Sequence, residues 1–118
     1  MLDCEPKNFL QPCLLLLLHE QPDHGYDLVD RLRAICGADN DNGGVYRALR
    51  SLEHQGLVVS SWRMSTTGPA RRIYHLTDHG VAALQERAVG LAATRDTLDG
   101  FLERYAKVVA LDSAREAR

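Results

Sequence analysis

Apolar and polar positions alternate at helical spacing through the first third of the chain. The leucines of residues 14–18 leave almost no polar face, which predicts a central core helix from Pro12 to about Glu20, because proline suits the first helical position. A second helix is predicted to begin after Asp23, whose carboxylate suits an N-cap, and to stop at Gly37. The apolar face of this second helix comprises Tyr26, Val29, Leu32 and Cys36.

A third amphipathic helix is predicted from an N-cap at Asn42 to a terminating glycine, Gly56. Its apolar residues have the spacing i, i+3, i+4 and i+7, which is typical of one buried helix face, and are Val45, Ala48, Leu49 and Leu52. The opposite face is polar or basic and carries Tyr46, Arg47, Arg50, Ser51 and His54.

Two short segments with β-branched and aromatic character follow the third helix directly. Residues 57–62 and 72–76 predict an antiparallel hairpin with a loop at residues 65–69, in which Trp62 is interpreted as a packing residue. A hairpin directly after an amphipathic third helix is the element order of a winged helix-turn-helix. The predicted fold class is therefore mainly α with a small β-hairpin, and residues 1–76 are expected to form the winged domain.

Residues 77–118 predict one long helix, capped by Thr77 and extending to about Leu111. Its apolar residues recur in steps of four and three, interrupted only by Arg95, and are Leu84, Ala88, Leu91, Leu98, Leu102, Tyr105 and Val109. A repeat of 3.5 residues is typical of a coiled-coil seam, so this helix is expected to form a homodimer interface. The alternative is packing against the protein's own first helix, and both arrangements are compatible.

Positive charge is concentrated in the middle of the chain. Residues 43–76 carry five arginines against one glutamate, whereas residues 1–42 carry three basic and eight acidic side chains. A basic island on an acidic protein indicates a polyanion site, the alternative being an ordinary solvated surface. Because the major groove of B-DNA admits one α-helix, the third helix is the candidate for reading double-stranded DNA, with the hairpin as a wing. Arg71 and Arg72 point to opposite faces of a strand, so only one of them is expected to reach DNA. The predicted DNA-binding residues are Asn42, Gly43, Gly44, Tyr46, Arg47, Arg50, Ser51, Arg63, Arg71 and Arg72.

Several classes of protein fit the chain poorly. A length of 118 residues suits one compact domain, and 45% apolar residues exceed what a disordered chain carries. The apolar run at residues 14–18 is too short for a membrane span, and the acidic N-terminus is unlike a signal peptide. Three cysteines without a CxxC pair favour reduced thiols and a cytoplasmic location. Five scattered histidines form no catalytic or metal-ligand pattern, so no enzyme activity, cofactor or metal is expected.

Four segments resemble the PadR family of transcriptional regulators. They are Gly-Tyr-Asp-Leu at residues 25–28, the stretch 44–53, Gly-Leu-Val at 56–58, and Gly-Pro-Ala-Arg-Arg-Ile-Tyr-His-Leu-Thr-Asp-His-Gly at 68–80. The resemblance implies a homodimer that represses promoters, contacts DNA through the third helix and wing, and is released by a ligand. The chain departs from the family at residues 41–42, where a Ser-Pro pair is usual, and at Arg47, where proline is common; the base preference therefore stays open. Residues 8–14 and 68–72 are similar to a subgroup described as polyhydroxybutyrate-responsive repressors.

A ligand pocket is expected between the first and last helices, lined by Leu14, Leu17, Phe101 and Tyr105, with ordinary packing as the alternative. The effector is unknown. The acidic N-terminal third also motivates a competing hypothesis on the same fold, namely a protein-interaction or granule-associated module without specific DNA binding.

Overall fold

A computed structural model describes residues 9–36 and 42–117 of the chain, within which four helices and three strands follow one another. They are α1 (Leu10–Glu20), β1 (Asp23–His24), α2 (Gly25–Cys36), α3 (Asn42–His54), β2 (Val58–Arg63), β3 (Arg71–Leu76) and α4 (Asp78–Glu116). The mainly helical fold with a small hairpin is thereby confirmed. The predicted helix stop at Gly37 and the side chain of Cys36 lie outside the described residues.

The chain divides into two compact units, Met1–Gln85 and Glu86–Arg118. The first unit holds the described core, and the second consists of the remainder of α4. The domain boundary expected between residues 76 and 77 stays a prediction. No helix among the described residues is long and apolar enough to cross a bilayer.

Helix α1 contributes much of the core of the first unit. Leu14 and Leu15 are completely buried, whereas Leu16 remains 41% exposed. The helix begins at Leu10, two residues earlier than predicted. Its first backbone hydrogen bond runs from the N–H of Cys13 to the carbonyl of Phe9, at 3.2 Å. Pro12 lies before this first donor, in the turn whose N–H groups have no partner within a helix, so its missing N–H costs no hydrogen bond there. Buried partners from the other elements are Leu28, Val29, Leu32, Val45, Ala48, Leu49, Leu52, Val58 and Tyr74.

The hairpin is part of a three-stranded antiparallel sheet with the order β1-β3-β2. The two-residue strand β1 was not predicted, because two residues are too few to show a period. Asp23, predicted as the N-cap of α2, lies instead in β1 and pairs with Tyr74 of β3. Its carboxylate accepts hydrogen bonds from the His24 N–H at 2.9 Å and from Arg31 of α2 at 3.1 Å, so it connects β1 to the side of α2.

Helix α3 buries the predicted stripe of four apolar residues and ends before a sharp turn. Gly56 has φ +78°, a left-handed conformation that favours glycine, which confirms its role as terminator. The following N–H of Leu57 donates back to the Leu52 carbonyl at 3.0 Å. The turn therefore leads the chain straight from the third helix into β2.

A compact junction joins β3 to α4. The hydroxyl of Thr77 accepts a hydrogen bond from the Gly80 N–H at 3.0 Å, which confirms Thr77 as the N-cap of α4. The same hydroxyl lies 2.7 Å from the Gly56 carbonyl and 3.0 Å from the Leu57 carbonyl. Gly80 is buried, and a Cβ added there would collide with the Leu57 carbonyl oxygen and the Leu76 side chain. This first turn can approach the hairpin only because residue 80 has no side chain.

Helix α4 contains 39 residues and extends to Glu116, five residues beyond the predicted end. At 1.5 Å per residue it is about 58 Å long. None of the described side chains of residues 86–117 is buried in the single chain. Most of the predicted seam beyond Leu91 is well exposed, with Leu98 at 50%, Leu102 at 57% and Tyr105 at 60%.

Candidate nucleic-acid interface

The outward face of α3 carries the side chains expected of a recognition helix. Arg47 and Arg50 are exposed and make no ion pair with any residue in the described ranges. Tyr46 is 38% exposed. The hydroxyl of Ser51 is exposed but accepts a hydrogen bond from Gln55 at 3.1 Å, so it is already engaged within the helix.

The start of α3 is small and open. Gly43 is exposed and Gly44 partly exposed. Asn42, predicted as the N-cap, is the first residue of α3, and the residues that precede it lie outside the described part of the chain. Backbone N–H groups at a helix start favour an anionic oxygen.

The wing presents two arginines at its open end. Arg63 ends β2, Arg71 begins β3, and the two are cross-strand partners. Both are exposed, as are all residues of the connecting loop 64–70. Arg71 lies 3.3 Å from Nε2 of His24, whereas Arg63 makes no ion pair within the described residues. The open end of the wing therefore carries two exposed arginines, of which Arg71 also contacts His24.

Arg72 has a different environment from Arg71, as the strand geometry predicts. Its Nη2 donates to Glu53 Oε1 at 2.8 Å and its Nε to the Ser60 hydroxyl at 2.8 Å. Ser60 in turn donates to the other Glu53 oxygen at 2.5 Å. These three residues form a closed network, the Glu53–Ser60–Arg72 clamp, that ties the last turn of α3 to both strands of the wing.

This clamp was not predicted from the sequence. The only signal was that Glu53 is the single acidic residue in the basic stretch 43–76. Its pairing with Arg72 requires the hairpin to fold back beside α3, and a contact across 19 residues has no local signature.

Tyr74 lies beneath the clamp and is only 3% exposed. The guanidinium of Arg72 lies 5.6 Å from the centre of its ring, within cation–π range. Burial raises the pKa of the Tyr74 phenol above its ordinary value of 10.0, and the positive charge of Arg72 partly opposes that shift. The phenol is therefore neutral at physiological pH, and its ring faces the guanidinium of Arg72.

An open pocket of about 520 Å³ lies between the start of α2, helix α3 and the sheet. We call it the wing pocket; its principal lining residues are Tyr26, Tyr46, Trp62, Arg71, Arg72 and Tyr74. Two expectations are corrected here. Tyr26, predicted on the apolar face of α2, is 69% exposed, because the helix begins only at Gly25 and its first turn extends past the core. Trp62, interpreted as a packing residue, is 68% exposed, because it lies in the outer half of β2.

The carboxylates of Asp23 and Asp27 and the imidazole of His24 lie close enough together to share one ion. Arg31 already neutralises Asp23, and Arg71 lies against the same imidazole. The arrangement is explained by these ion pairs, and we assign no metal role to it.

The predicted ligand-lining residues fall into separate units. Leu14 and Leu17 are buried in the core of the first unit. Phe101 and Tyr105 are 66% and 60% exposed in the second. A pocket formed by these four residues stays a prediction, as does the dimer seam.

A family model and several solved structures relate this chain to the same family of proteins. The family model described as the transcriptional regulator PadR-like family matches residues 14–86, more than half of the chain. No curated protein matches the sequence.

Solved structures of similar proteins include the following three. A PadR-like transcriptional regulator from Bacillus cereus is 26% identical, with a TM-score of 0.72, and the match covers 81% of this chain and 93% of that one. A PadR-like transcription factor from Bacteroides fragilis is 29% identical, with a TM-score of 0.69 and coverage of 80% and 91%. PadR of Bacillus subtilis, solved in complex with operator DNA, is 23% identical, with a TM-score of 0.64 and coverage of 71% and 49%, and shares the fold. The clamped winged fold and the family match together lead to one assignment: the chain belongs to the PadR-like family of transcriptional regulators, which is not a family of enzymes.

Proposed function

We propose that this protein is a homodimeric, sequence-specific DNA-binding regulator that acts as a cytoplasmic repressor. The observation that carries the proposal is the set of exposed arginines without ion pairs in the described ranges, two on α3 and one at the tip of the wing. Unpaired guanidinium groups on a helix narrow enough for the major groove suit base edges and phosphates. The operator complex of the similar Bacillus subtilis PadR supports the same use of the fold.

Different parts of this surface have different roles in the proposal. Arg47 and Arg50 contact bases or phosphates in the major groove, while Arg63 and Arg71 contact the backbone or the minor groove, whose negative potential suits arginine. The phosphate contact expected at Gly43 and Gly44 stays a prediction. Arg72 stays in the clamp and holds the wing beside α3, so that both elements fit one duplex.

Fluorescence anisotropy on the DNA upstream of the protein's own gene, with an unrelated duplex as control, tests the proposal. If five or six phosphates are neutralised per dimer, log affinity falls against log salt with a slope of about −5. Arg50→Ala is expected to cost roughly 1–3 kcal/mol in specific binding. The matched control is Arg33→Ala, which removes an exposed arginine from α2 that pairs with Asp30 at 3.4 Å.

Equal losses in the two variants would remove the role assigned to Arg50. Equal weak binding to both duplexes would contradict recognition of this operator. Absence of binding at every salt concentration would favour the protein-interaction module.

We further propose that α4 pairs two copies of the chain. The support is an apolar seam at 3.5-residue spacing in which Leu98, Leu102 and Tyr105 are at least half exposed in the single chain. Leu102→Asp is expected to give a monomer in sedimentation equilibrium and to weaken operator binding. Val89→Asp, which places the same charge at a 68% exposed position outside the seam, should remain dimeric. A dimeric Leu102→Asp protein would refute the seam.

Release by a small ligand completes the proposed mechanism, and the wing pocket supports it more directly than the predicted site at Leu14, Leu17, Phe101 and Tyr105. The similarity to polyhydroxybutyrate-responsive repressors stays a prediction. A screen of effectors against the operator complex would test it.

A further inference from the structure

A histidine of β1 lies against one of the two arginines at the open end of the wing. The side chain of His24 is 19% exposed. Its Nε2 lies 3.3 Å from Nη1 of Arg71 and 3.3 Å from a carboxylate oxygen of Asp27 on α2. The other ring nitrogen, Nδ1, is buried and has no hydrogen-bond partner among the described residues. One ring nitrogen therefore faces a cation and an anion at the same time.

The two contacts at Nε2 need opposite protonation states. Arg71 can only donate, so its hydrogen bond requires a lone pair on Nε2, whereas the carboxylate of Asp27 can only accept and requires a proton there. A neutral imidazole with its proton on Nδ1 accepts from Arg71. Once the ring has gained a second proton, Nε2 donates to Asp27 and can no longer accept from Arg71. Histidine is the side chain that ordinarily makes this change between about pH 5 and 8.

Charged groups from three strands and α2 surround His24. From β1, Oδ1 of Asp23 lies 3.8 Å from Nδ1, which favours a proton on that nitrogen, while the other Asp23 oxygen is bonded to Arg31 of α2 at 3.1 Å. Asp27 faces the ring from α2, and Arg71 faces it from β3. Arg63 of β2 lines one concavity of about 390 Å³ together with His24 and Arg71.

These charges act on the two forms of the ring in opposite ways. The two carboxylates stabilise a charged imidazolium, and the guanidinium groups oppose it at short range. Arg71 is exposed at the end of its strand, so its side chain can turn outward. A second proton on His24 therefore draws the ring to Asp27 and repels Arg71.

We propose that His24 is a positioning residue for Arg71. As the neutral imidazole it holds the guanidinium of Arg71 against β1, and as the imidazolium it bonds to Asp27 and leaves Arg71 available to DNA phosphates. Because DNA favours the available arginine, it also favours the protonated ring, and by linkage the affinity for DNA rises as His24 gains its proton. The contact of Arg71 with DNA rests on the proposed function, whereas the exchange of partners at Nε2 does not.

Nitrogen-15 NMR of the histidine rings, on the full chain without DNA, tests the exchange at Nε2. We expect the neutral ring of His24 to carry its proton on Nδ1. Arg71→Ala should let His24 gain its second proton at higher pH, because a neighbouring cation is removed. Arg63→Ala, which removes the cross-strand partner of Arg71, should change this titration less. A neutral ring that is protonated on Nε2, or equal changes in the two variants, would overturn the proposal.

Operator affinity at about pH 7.5 and about pH 5.5, on either side of an ordinary histidine titration, tests the consequence. Glutamine can accept a hydrogen bond from Arg71 but cannot gain a charge, so His24→Gln represents the neutral state. Between the two pH values the Kd of the wild type should fall by about twofold to fivefold more than that of His24→Gln, the size of one exposed contact between opposite charges. His54→Gln, which removes an exposed histidine at the end of α3, should reduce the pH dependence less. Retention of the full pH dependence in His24→Gln would overturn the proposal.

Double variants separate positioning of Arg71 from a direct contact between His24 and DNA. In an Arg71→Ala background, His24→Gln should leave the Kd unchanged at both pH values, whereas in an Arg63→Ala background it should keep its full effect. Urea unfolding at both pH values checks that His24→Gln remains folded. An undiminished effect of His24→Gln without Arg71 would overturn the positioning role. Failure of the wild type to bind any duplex would instead refute the proposed function, and the NMR titrations would still decide the exchange at Nε2.

Discussion

Two glycines in the same helix are expected to respond to the same substitution with opposite signs. Gly80 is in the first turn of α4, where an added Cβ would collide with the Leu57 carbonyl oxygen and with Leu76. Gly100 is further along the helix, and an added Cβ has no heavy atom outside its own helix within 4 Å. Replacing glycine by alanine raises the helix propensity equally at both sites. The difference in stability between the two variants therefore measures the effect of the close contact at the β3–α4 junction.

The size of the effect follows from these surroundings. Replacing glycine by alanine inside a helix stabilises it by about 1 kcal/mol. At Gly80 the obstacle includes a backbone oxygen that cannot rotate away, and overpacking of that kind costs typically 1–3 kcal/mol or more. Because Leu57 also bonds to Thr77, moving it strains the junction further. We expect Gly80→Ala to be destabilised by about 1–2 kcal/mol and Gly100→Ala to be stabilised by about 0.5–1 kcal/mol.

Thermal and urea unfolding at one fixed protein concentration would measure both variants, since the stability of the proposed dimer depends on concentration. Each kcal/mol corresponds to a Tm change of about 4 °C for a chain of this size. Equal stabilisation of the two variants would show that the β3–α4 junction tolerates a side chain at residue 80. The structural account of the Leu-Thr-Asp-His-Gly motif would then be wrong.

Three other substitutions test the junction and the clamp. Thr77→Ala should lower the free energy of unfolding by about 1 kcal/mol, because the N-cap hydrogen bond is lost, and Thr77→Ser should recover most of that stability. If urea unfolding shows no recovery in Thr77→Ser, the stability depends on the threonine methyl group and not on the hydroxyl. Glu53→Ala should lower the free energy of unfolding by less than about 1 kcal/mol, because the side chains of Glu53 and Arg72 are both partly exposed. This loss should shrink in high salt, whereas the exposed control Glu103→Ala should show no such change. A loss that does not depend on salt would argue against the charge pair with Arg72. Burial raises the pKa of Tyr74, so the folded state holds the phenolic proton more tightly, and its contribution is present below about pH 10 and is lost as pH rises above that value. Tyr74→Phe should therefore flatten the decline in urea stability above about pH 10, and an unchanged decline would contradict the raised pKa of Tyr74.

The helices of the first unit are largely predictable from local pattern. The stripe from Val45 to Leu52 is buried as its spacing requires, and Gly56 and Thr77 end and begin helices as their chemistry predicts. In each case the responsible interaction lies within one helix or turn. The reason is that helix periods and caps depend on residues only three or four positions apart.

The strand β1 and the clamp were missed for the opposite reason. Asp23 pairs with Tyr74 across 51 positions of the chain, and Glu53 contacts Arg72 across 19. Asp23 has the composition of a helix cap, and only the arrival of β3 beside it makes it a strand residue. Arg72 likewise differs from Arg71 only through what faces it after folding.

The amino-acid sequence by itself determined the order of the four helices and the hairpin, the buried stripe of α3, the basic stretch between residues 43 and 76 and the family resemblance. These features depend on residue type and on the spacing of nearby residues, so they can be predicted without knowing which distant residues are in contact. The tertiary structure decided which arginines point outward, where the wing is held, and that Tyr26 and Trp62 surround a pocket. It did so because exposure and partnership depend on where non-adjacent segments meet, which no local pattern encodes.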